Sequence, residues 1–411
     1  IRNGKPVNGI TDFNSIRFIR MYVTNFKMPV VLRFGELDLV RGDYRRYLRT
    51  IDPAINPDRA LNQDELENFE VGVVSIEQNN GSYVQPPGIE RERLQGSTTV
   101  QLQNEQSVTL KVTNLEPGKT RAIYKNISVD LRRFKNLKMF MHLEGDEGFS
   151  GIIRLGTDLN DNYYEVALPL TVSSGGTSQL DIWPEANNLN ALLETFGKVK
   201  LERDAIGAPI NELYTSNLQA TDVPYRISVK GNPTSAQIRT ILLGLKNTTN
   251  VNRTGEIWFN ELRASGFDNE AGWAAVLNAD ANFADVANVS LSGSLQTIGF
   301  GNVEDRVNQR SLDETKEYDV STTVNLGKVI TPEKWGIQLP MTYSVGEKFI
   351  DPKFDPQYQD VLLEDAISQN PNSEFSRDYT KRTSISFINV RKNRNPNSTK
   401  KPRFYDIENI A

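Results

Sequence analysis

The sequence contains no cysteine, and that one absence removes disulfide staples, thiolate nucleophiles, zinc-thiolate sites and iron–sulfur clusters. Histidine is almost as scarce. His142 is the only one in 411 residues, so Ser-His-Asp catalysis and most histidine-ligated metal sites have nothing to build on. It sits in the apolar-alternating run Leu137–Leu143, which reads as a strand, and its role is read as structural. There is no excess of positive charge, since 47 Lys and Arg stand against 52 Asp and Glu for a net charge of -5. A nucleic-acid partner is therefore not expected. No apolar run approaches the roughly 18 residues of a membrane-spanning helix. No charged-then-apolar leader is visible, and the chain opens on Ile1, which reads as a segment cut from something longer. No cofactor and no enzymatic activity are expected.

What is present is strand pattern punctuated by turns, in two regimes that meet near 266–272. In the first, short runs at Phe69–Glu77, Val108–Val112, Ile127–Leu131, Leu137–Leu143, Gly151–Gly156 and Tyr163–Leu168 are separated by turn signals. These include Asn79-Asn-Gly81, Glu116-Pro-Gly118 and Asp158-Leu-Asn-Asp-Asn162. Strands of that length and spacing predict an antiparallel, jelly-roll-like β-sandwich over 69–267. Short helices are expected at Leu61–Asn68 and Asn187–Phe196. An internal repeat relates Asn14–Asn25 to Ala236–Asn247 and Leu32–Leu37 to Ile257–Leu262. The first copy would close an earlier sandwich module over 1–50, with 51–68 as linker.

After 268 the alternation becomes nearly strict. Trp273, Leu277, Phe283, Val289, Leu291, Leu295, Val320, Val324, Leu326, Trp335, Ile337, Leu339 and Tyr343 supply one face. Asn278, Asp280, Asn282, Asn288, Ser290, Ser292, Thr323 and Asn325 supply the other. Each run is about ten residues, the length an inclined strand needs to cross a hydrocarbon core. A half-buried sheet in water alternates in the same way. Three features favour lipid. The polar face is small and mostly uncharged, aromatic rings sit at run ends, and short connections (284–285, 328–334) alternate with long ones (299–317, 346–381). The reading is an all-β chain whose 268–411 part supplies antiparallel transmembrane β-barrel strands with long external loops, the first set lipid-facing and the second lumen-facing. The turn Ala284-Asp285 would be periplasmic and the sandwich external. Five strands cannot close a barrel in lipid without leaving unpaired backbone groups, so a larger barrel is implied.

Lesser candidates are a calcium-like spacing at Asp158, Asn160 and Asn162, which an Asx hairpin turn also explains. Tyr163, Tyr164 and Trp183 could stack on sugars, which keeps a soluble, cell-surface carbohydrate-binding sandwich as the alternative function. A basic aromatic cluster runs from Arg41 to Arg49 with Tyr44 and Tyr47. The acidic triplet Glu144, Asp146 and Glu147 has no spacing that assigns glycosidase roles.

Several longer runs resemble one family. They are Ser15-Ile-Arg-Phe-Ile-Arg-Met21, Leu32-Arg-Phe-Gly-Glu-Leu-Asp-Leu-Val-Arg41, Pro86-Pro-Gly-Ile-Glu-Arg91, Asn162-Tyr-Tyr-Glu165, Glu256-Ile-Trp-Phe-Asn-Glu-Leu-Arg263, Gly272-Trp-Ala-Ala275 and Val307-Asn-Gln-Arg310. Together they are similar to the SprA (Sov) family, giant outer-membrane proteins of type IX secretion and gliding motility in Bacteroidetes. The resemblance implies a segment of a very large barrel that exports folded cargo. It also implies a lipid bilayer around the barrel, a PorV-type shuttle barrel and a periplasmic plug protein as partners.

Overall fold

The computed structural model describes residues 24–31, 43–51, 59–79, 81–91, 102–173, 175–217, 223–369, 376–394, 399, 401 and 403–404. The chain divides into two compact units, 1–43 and 44–411. Of the first unit only 24–31 and 43 are described, with no regular element, so most of the first copy of the sequence repeat lies outside the described residues. All strands and helices among the described residues belong to the second unit.

The strands are β1 (Arg45–Arg46), β2 (Phe69–Ser75), β3 (Gln106–Leu115), β4 (Thr120–Val129), β5 (Phe134–Gly145), β6 (Phe149–Gly156), β7 (Tyr163–Pro169), β8 (Asn188–Leu192), β9 (Tyr214–Thr215), β10 (Arg226–Lys230), β11 (Ile238–Asn247) and β12 (Arg253–Phe267). Then come β13 (Ala274–Phe283), β14 (Ala287–Gln296), β15 (Asp313–Asn325), β16 (Ile337–Gln338), β17 (Pro340–Pro352), β18 (Asp378–Phe387) and β19 (Arg391–Lys392). The helices are α1 (Gln63–Glu67), α2 (Gln179–Ile182), α3 (Glu194–Ala205), α4 (Leu326–Ile330) and α5 (Leu363–Gln369). All strand pairings are antiparallel.

The first twelve strands form two sheets, ordered β1-β4-β11-β6-β7-β10-β9 and β2-β3-β12-β5-β8. They bury one shared core. Ile123, Ile153, Leu155, Val166, Leu243 and Leu245 from the first sheet meet Leu110, Val112, Met139, Met141, Leu143 and Ile257 from the second. That face-to-face packing makes a β-sandwich. The chain passes between layers at tight turns. Glu116-Pro-Gly118 joins β3 to β4, and Gly118 takes φ 71, a left-handed conformation that glycine adopts without steric cost. The second copy of the sequence repeat is β11 followed by the first half of β12, one strand in each layer.

Two expectations change in detail. The helix expected at Asn187–Phe196 is a strand, β8, followed by the longer helix α3. Leu189 and Ala191 are buried while Asn188, Asn190 and Leu192 are exposed, a period-2 pattern that pairs with β5. The strand expected at Ile127–Leu131 begins seven residues earlier, at Thr120, because Ala122 and Ile123 are fully buried on opposite faces of the sheet and so show no alternation.

At the N-terminal side of the sandwich, Asn62 caps α1 in a reciprocal capping box with Glu65. The Glu65 carboxylate also receives Arg59 at 2.7 and 2.9 Å and the buried Arg121 at 3.0 Å. Hydrogen bonding from Arg59, with further help from the Asn62 backbone N–H and the charge of Arg121, outweighs the effect of burial and brings the pKa of Glu65 from its ordinary 4.5 to about 2. A depressed acid pKa contributes stability that is complete above about 4.5 and lost as pH falls toward 2. The denaturation midpoint of the unaltered chain is therefore expected to drop more steeply between those pH values than that of Glu65→Gln. Parallel slopes in the two pH titrations would contradict this account.

Candidate functional site

Strands β13, β14, β15, β17 and β18 form a separate five-stranded sheet, in that order. None of its side chains belongs to any of the buried apolar clusters. Its register is continuous, so every row of side chains can be followed across it. On one face run Phe283–Ala287–Val324–Met341–Phe387, Ala281–Val289–Thr322–Tyr343–Ile385 and Ala279–Leu291–Val320–Val345–Thr383. On the other run Asn282–Asn288–Thr323–Thr342–Ser386, Asp280–Ser290–Ser321–Ser344–Ser384 and Asn278–Ser292–Asp319–Gly346–Arg382. Hydroxyl pairs tie neighbouring strands on this second face. Thr323 and Thr342 are 3.1 Å apart, and Ser344 and Ser384 are 2.7 Å apart.

The apolar face is uncovered among the described residues. Leu277 and Phe283 are each 59% exposed, Ile385 is 62% and Phe387 52%. Its uncharged zone is slanted. β13 and β14 place no charged residue on that face, whereas charge enters at Lys316 on β15, Glu347 on β17 and Lys381 on β18. Glu347 and Lys381 stand in one cross-strand row and Lys316 one row further on, so the uncharged zone lengthens from β18 toward β13.

The register brings together, on the apolar face, the sequence-nominated Leu277, Phe283, Val289, Leu291, Leu295, Val320, Val324 and Tyr343. Trp273 immediately precedes β13. Asn278, Asp280, Asn282, Asn288, Ser290, Ser292, Thr323 and Asn325 share the polar face. Leu326, Trp335, Ile337 and Leu339 are not in this ladder. Leu326 opens α4, Trp335 closes a short 3-10 turn, Ile337 lies in the small β16–β19 ladder, and Leu339 leads into β17. The break is set at Gly336. Its φ is 60, and an added Cβ would come 2.3 Å from the Asn393 carbonyl oxygen, so an extended strand cannot continue through it.

Three strands extend further toward the long-connection end than their apolar alternation indicates. β15 starts at Asp313, β17 runs on to Pro352 and β18 starts at Asp378. Those extensions carry charge, and ion pairs span them: Lys381 to Glu347 at 2.9 Å and Arg377 to Asp351 at 3.1 Å. β18 ends at Phe387, and Asn389 just beyond it takes φ 61. The connections are 284–286 and 326–339 at one end and the longer pair, 297–312 and 353–377, at the other. The one expected to be short, 328–334, takes up 326–339 because α4 and β16 lie within it, which makes it nearly as long as 297–312. Both long ones touch the sandwich. Arg133 donates to the carbonyls of Val307 and of Arg310, the latter at 2.7 Å, and Lys353 pairs with Asp268 at 2.7 Å.

The remaining candidates lie within the sandwich. Asp158 Oδ1 accepts the backbone N–H groups of Asn160, Asp161 and Asn162 at 3.0, 2.6 and 2.9 Å, and Oδ2 accepts the Asn162 side chain at 2.8 Å. Burial alone would raise its pKa, but these donors hold it below the usual carboxylate value. The cluster is a self-satisfied hairpin turn, and no group of residues able to hold a metal occurs among the described residues. Tyr163, Tyr164 and Trp183 are buried at 4% exposure or less and present no open ring face for a sugar. Tyr47 is buried against Tyr124 and donates to Asn160 at 2.6 Å, and Arg46 donates to the Phe69 carbonyl, so that much of the basic aromatic cluster covers the sandwich. Arg41 lies outside the described residues. His142 stacks on Trp258 at 3.9 Å and contacts the Ile182 carbonyl and Glu144. Asp146 accepts the Thr254 N–H at 2.8 Å.

No helix among the described residues is long and apolar enough to cross a membrane, a statement that does not bear on strands. A family model described as motility related/secretion protein, the SprA N-terminal family, matches residues 2–367. The chain belongs to that family. The match takes in the sandwich, the first four strands of the two-faced sheet and most of α5. No curated protein matches the sequence.

Asp158→Ala leaves three backbone donors at the β6–β7 turn without their acceptor. It is expected to lower stability by about 1–3 kcal/mol in denaturant unfolding, while added calcium leaves the midpoint of the unaltered chain in place. A calcium-dependent rise would show that the turn is a metal loop after all.

Proposed function

We propose that the chain is a segment of an outer-membrane protein-secretion pore of the type IX system, and that its five-stranded sheet is a stretch of transmembrane barrel wall. The observation that carries this is the apolar face of the five-stranded sheet: continuous over its strands, free of charge in its first three rows, and part of no buried apolar cluster among the described residues. In water such a face is a liability, whereas in a bilayer it is the required surface. β13 and β18 are edge strands among the described residues. In lipid their free backbone groups need partners, so further strands flank them.

On this reading Trp273, Leu277, Phe283, Val289, Leu291, Leu295, Val320, Val324 and Tyr343 meet lipid. Leu326, Trp335, Ile337 and Leu339 sit past the ladder at the short-connection end, at the level of the membrane interface. The Asn, Ser, Thr and Asp rows line a water-filled lumen. Long connections are external in outer-membrane barrels, and the sandwich is on the long-connection side, so it stands outside the membrane. Transport needs no chemistry from these residues: the wall excludes lipid and its polar rows wet the passage. Secreted folded proteins, a shuttle barrel and a periplasmic plug are the partners we infer.

Adjacent positions provide the test. Leu291→Arg places a charge on the apolar face near the middle of β14 and is expected to cost insertion about 2–4 kcal/mol. Ser292→Arg, one residue on, points into the lumen and is expected to insert normally. Heat-modifiability and protease protection in outer-membrane fractions read both. Equal insertion of the two variants would rule out lipid on that face.

A further inference from the structure

The longer of the two long connections, 353–377, does not stop at touching the sandwich; it is pegged into it. Asp360 has a side chain only 1% exposed. Its Oδ1 receives Lys200 Nζ of α3 at 2.5 Å, and its Oδ2 receives the Tyr164 hydroxyl of β7 at 2.5 Å and the backbone N–H of Ser235 at 2.7 Å. Lys200 spends a second hydrogen on the Pro233 carbonyl at 2.9 Å. Burial pulls the Lys200 pKa below its ordinary value, opposed by the charge of Asp360, and burial together with that same carboxylate pushes Tyr164 well above its own.

The seat is cut for the peg. At Gly197, inside α3, an added Cβ would come 2.7 Å from the Asp360 carbonyl oxygen and 3.1 Å from Val361 Cγ2. Glycine in a helix interior is costly, and here its lack of a side chain is what lets the connection lie against the helix. Beside the peg, Tyr358 donates to Asp204 at 2.6 Å, and Val361 and Ala366 pack on Leu201. The fit is incomplete, however. A cavity of about 410 Å³ opens between the connection and the sandwich, bordered by Phe134, Leu193, Lys198, Phe354 and Val361.

A buried ion pair adds little net stability over an apolar contact but enforces one geometry, because each charge is penalised without the other. A side of the seat left open to water lowers that penalty when the two separate. We propose that residues 353–369 are a strap fastening the sandwich to the strand array, with Asp360 as a releasable peg in a socket made by Lys200, Tyr164 and Ser235. Fastened, the strap fixes the sandwich over the long-connection end of the sheet. Released, it leaves the sandwich held by the 268–273 connection and by the Arg133 and Lys353 contacts. The strap is independent of what solvent the strands face; its consequence for passage rests on the pore reading above.

Amide hydrogen exchange on the full chain, read by mass spectrometry, tests it. Asp360→Ala removes the peg, and Gly197→Val obstructs the seat without touching a charge. Both are expected to speed exchange over 353–369 at least tenfold while β3, β5, β6 and β11 keep their protection. Unchanged exchange over 353–369 in Asp360→Ala overturns the proposal. So does loss of protection across β3 to β12 in step with the connection in both variants, since Asp360 would then be part of the sandwich core. The readout does not involve the membrane, so a failure of the Leu291→Arg experiment and a failure of this one are separately visible.

Discussion

Cross-strand register is the constraint on which the two-faced sheet depends. Side chains alternate across a strand with a period of two, and a slip of one residue in any ladder would send its apolar set to the other face. The five strands hold one register from Ala274 to Phe387 without a bulge. The sandwich does not need such rigour. Its ladders shift register between Ile238 and Thr240 and again between Asn260 and Arg263, where a core can absorb the irregularity. On the proposed membrane reading, the contrast follows from what each sheet faces. A protein core is shaped side chain by side chain, whereas a uniform surrounding rewards only the repeat.

Polar chemistry is distributed accordingly. In the sandwich, charges are buried one at a time and each has a dedicated partner: Arg154 with Glu165 at 2.6 Å, Arg121 with Glu65, Lys200 with Asp360. In the strand array, charge is confined to the polar face and to the long-connection end of the apolar face, where Glu347, Lys381, Asp351 and Arg377 pair across strands. The junction between the two regions is reciprocal: Arg133, Tyr164 and Lys200 reach out to the two long connections, Lys353 and Tyr358 reach back to Asp268 and Asp204, and Val361 and Ala366 pack on Leu201.

Much of this is legible in the sequence, for identifiable reasons. Period-2 patterning marks β13 and β14 within a residue or two, because their alternation runs unbroken to the strand ends, whereas β15 begins earlier, at Asp313, in a charged stretch. The limits of β17 and β18 were less readable. Their extensions are held by cross-strand ion pairs, and a charged strand end looks like loop, while Trp335, Ile337 and Leu339 alternate but are interrupted by a left-handed Gly336. Helix α3 was hidden for another reason. Phe196, Val199, Lys200, Leu201 and Arg203 are all buried, so two sides of the helix are covered and no amphipathic stripe forms. The one local hint was Gly197 in mid-helix. The socket itself left no local trace, since Tyr164 and Asp360 are 196 residues apart.

That separation dictates how the molecule assembles. Lys200 and Tyr164 emerge before Asp360 during synthesis, so the socket exists in the chain before its peg. A sandwich folded without residue 360 would bury an ammonium group lacking its counter-ion. The contact can form only after β17 has been made and residue 360 has followed it. If the strap is as proposed, a fixed attitude of the sandwich belongs to the chain through residue 360 and not to the sandwich alone: a chain that stopped short of it would keep the socket and lack the peg.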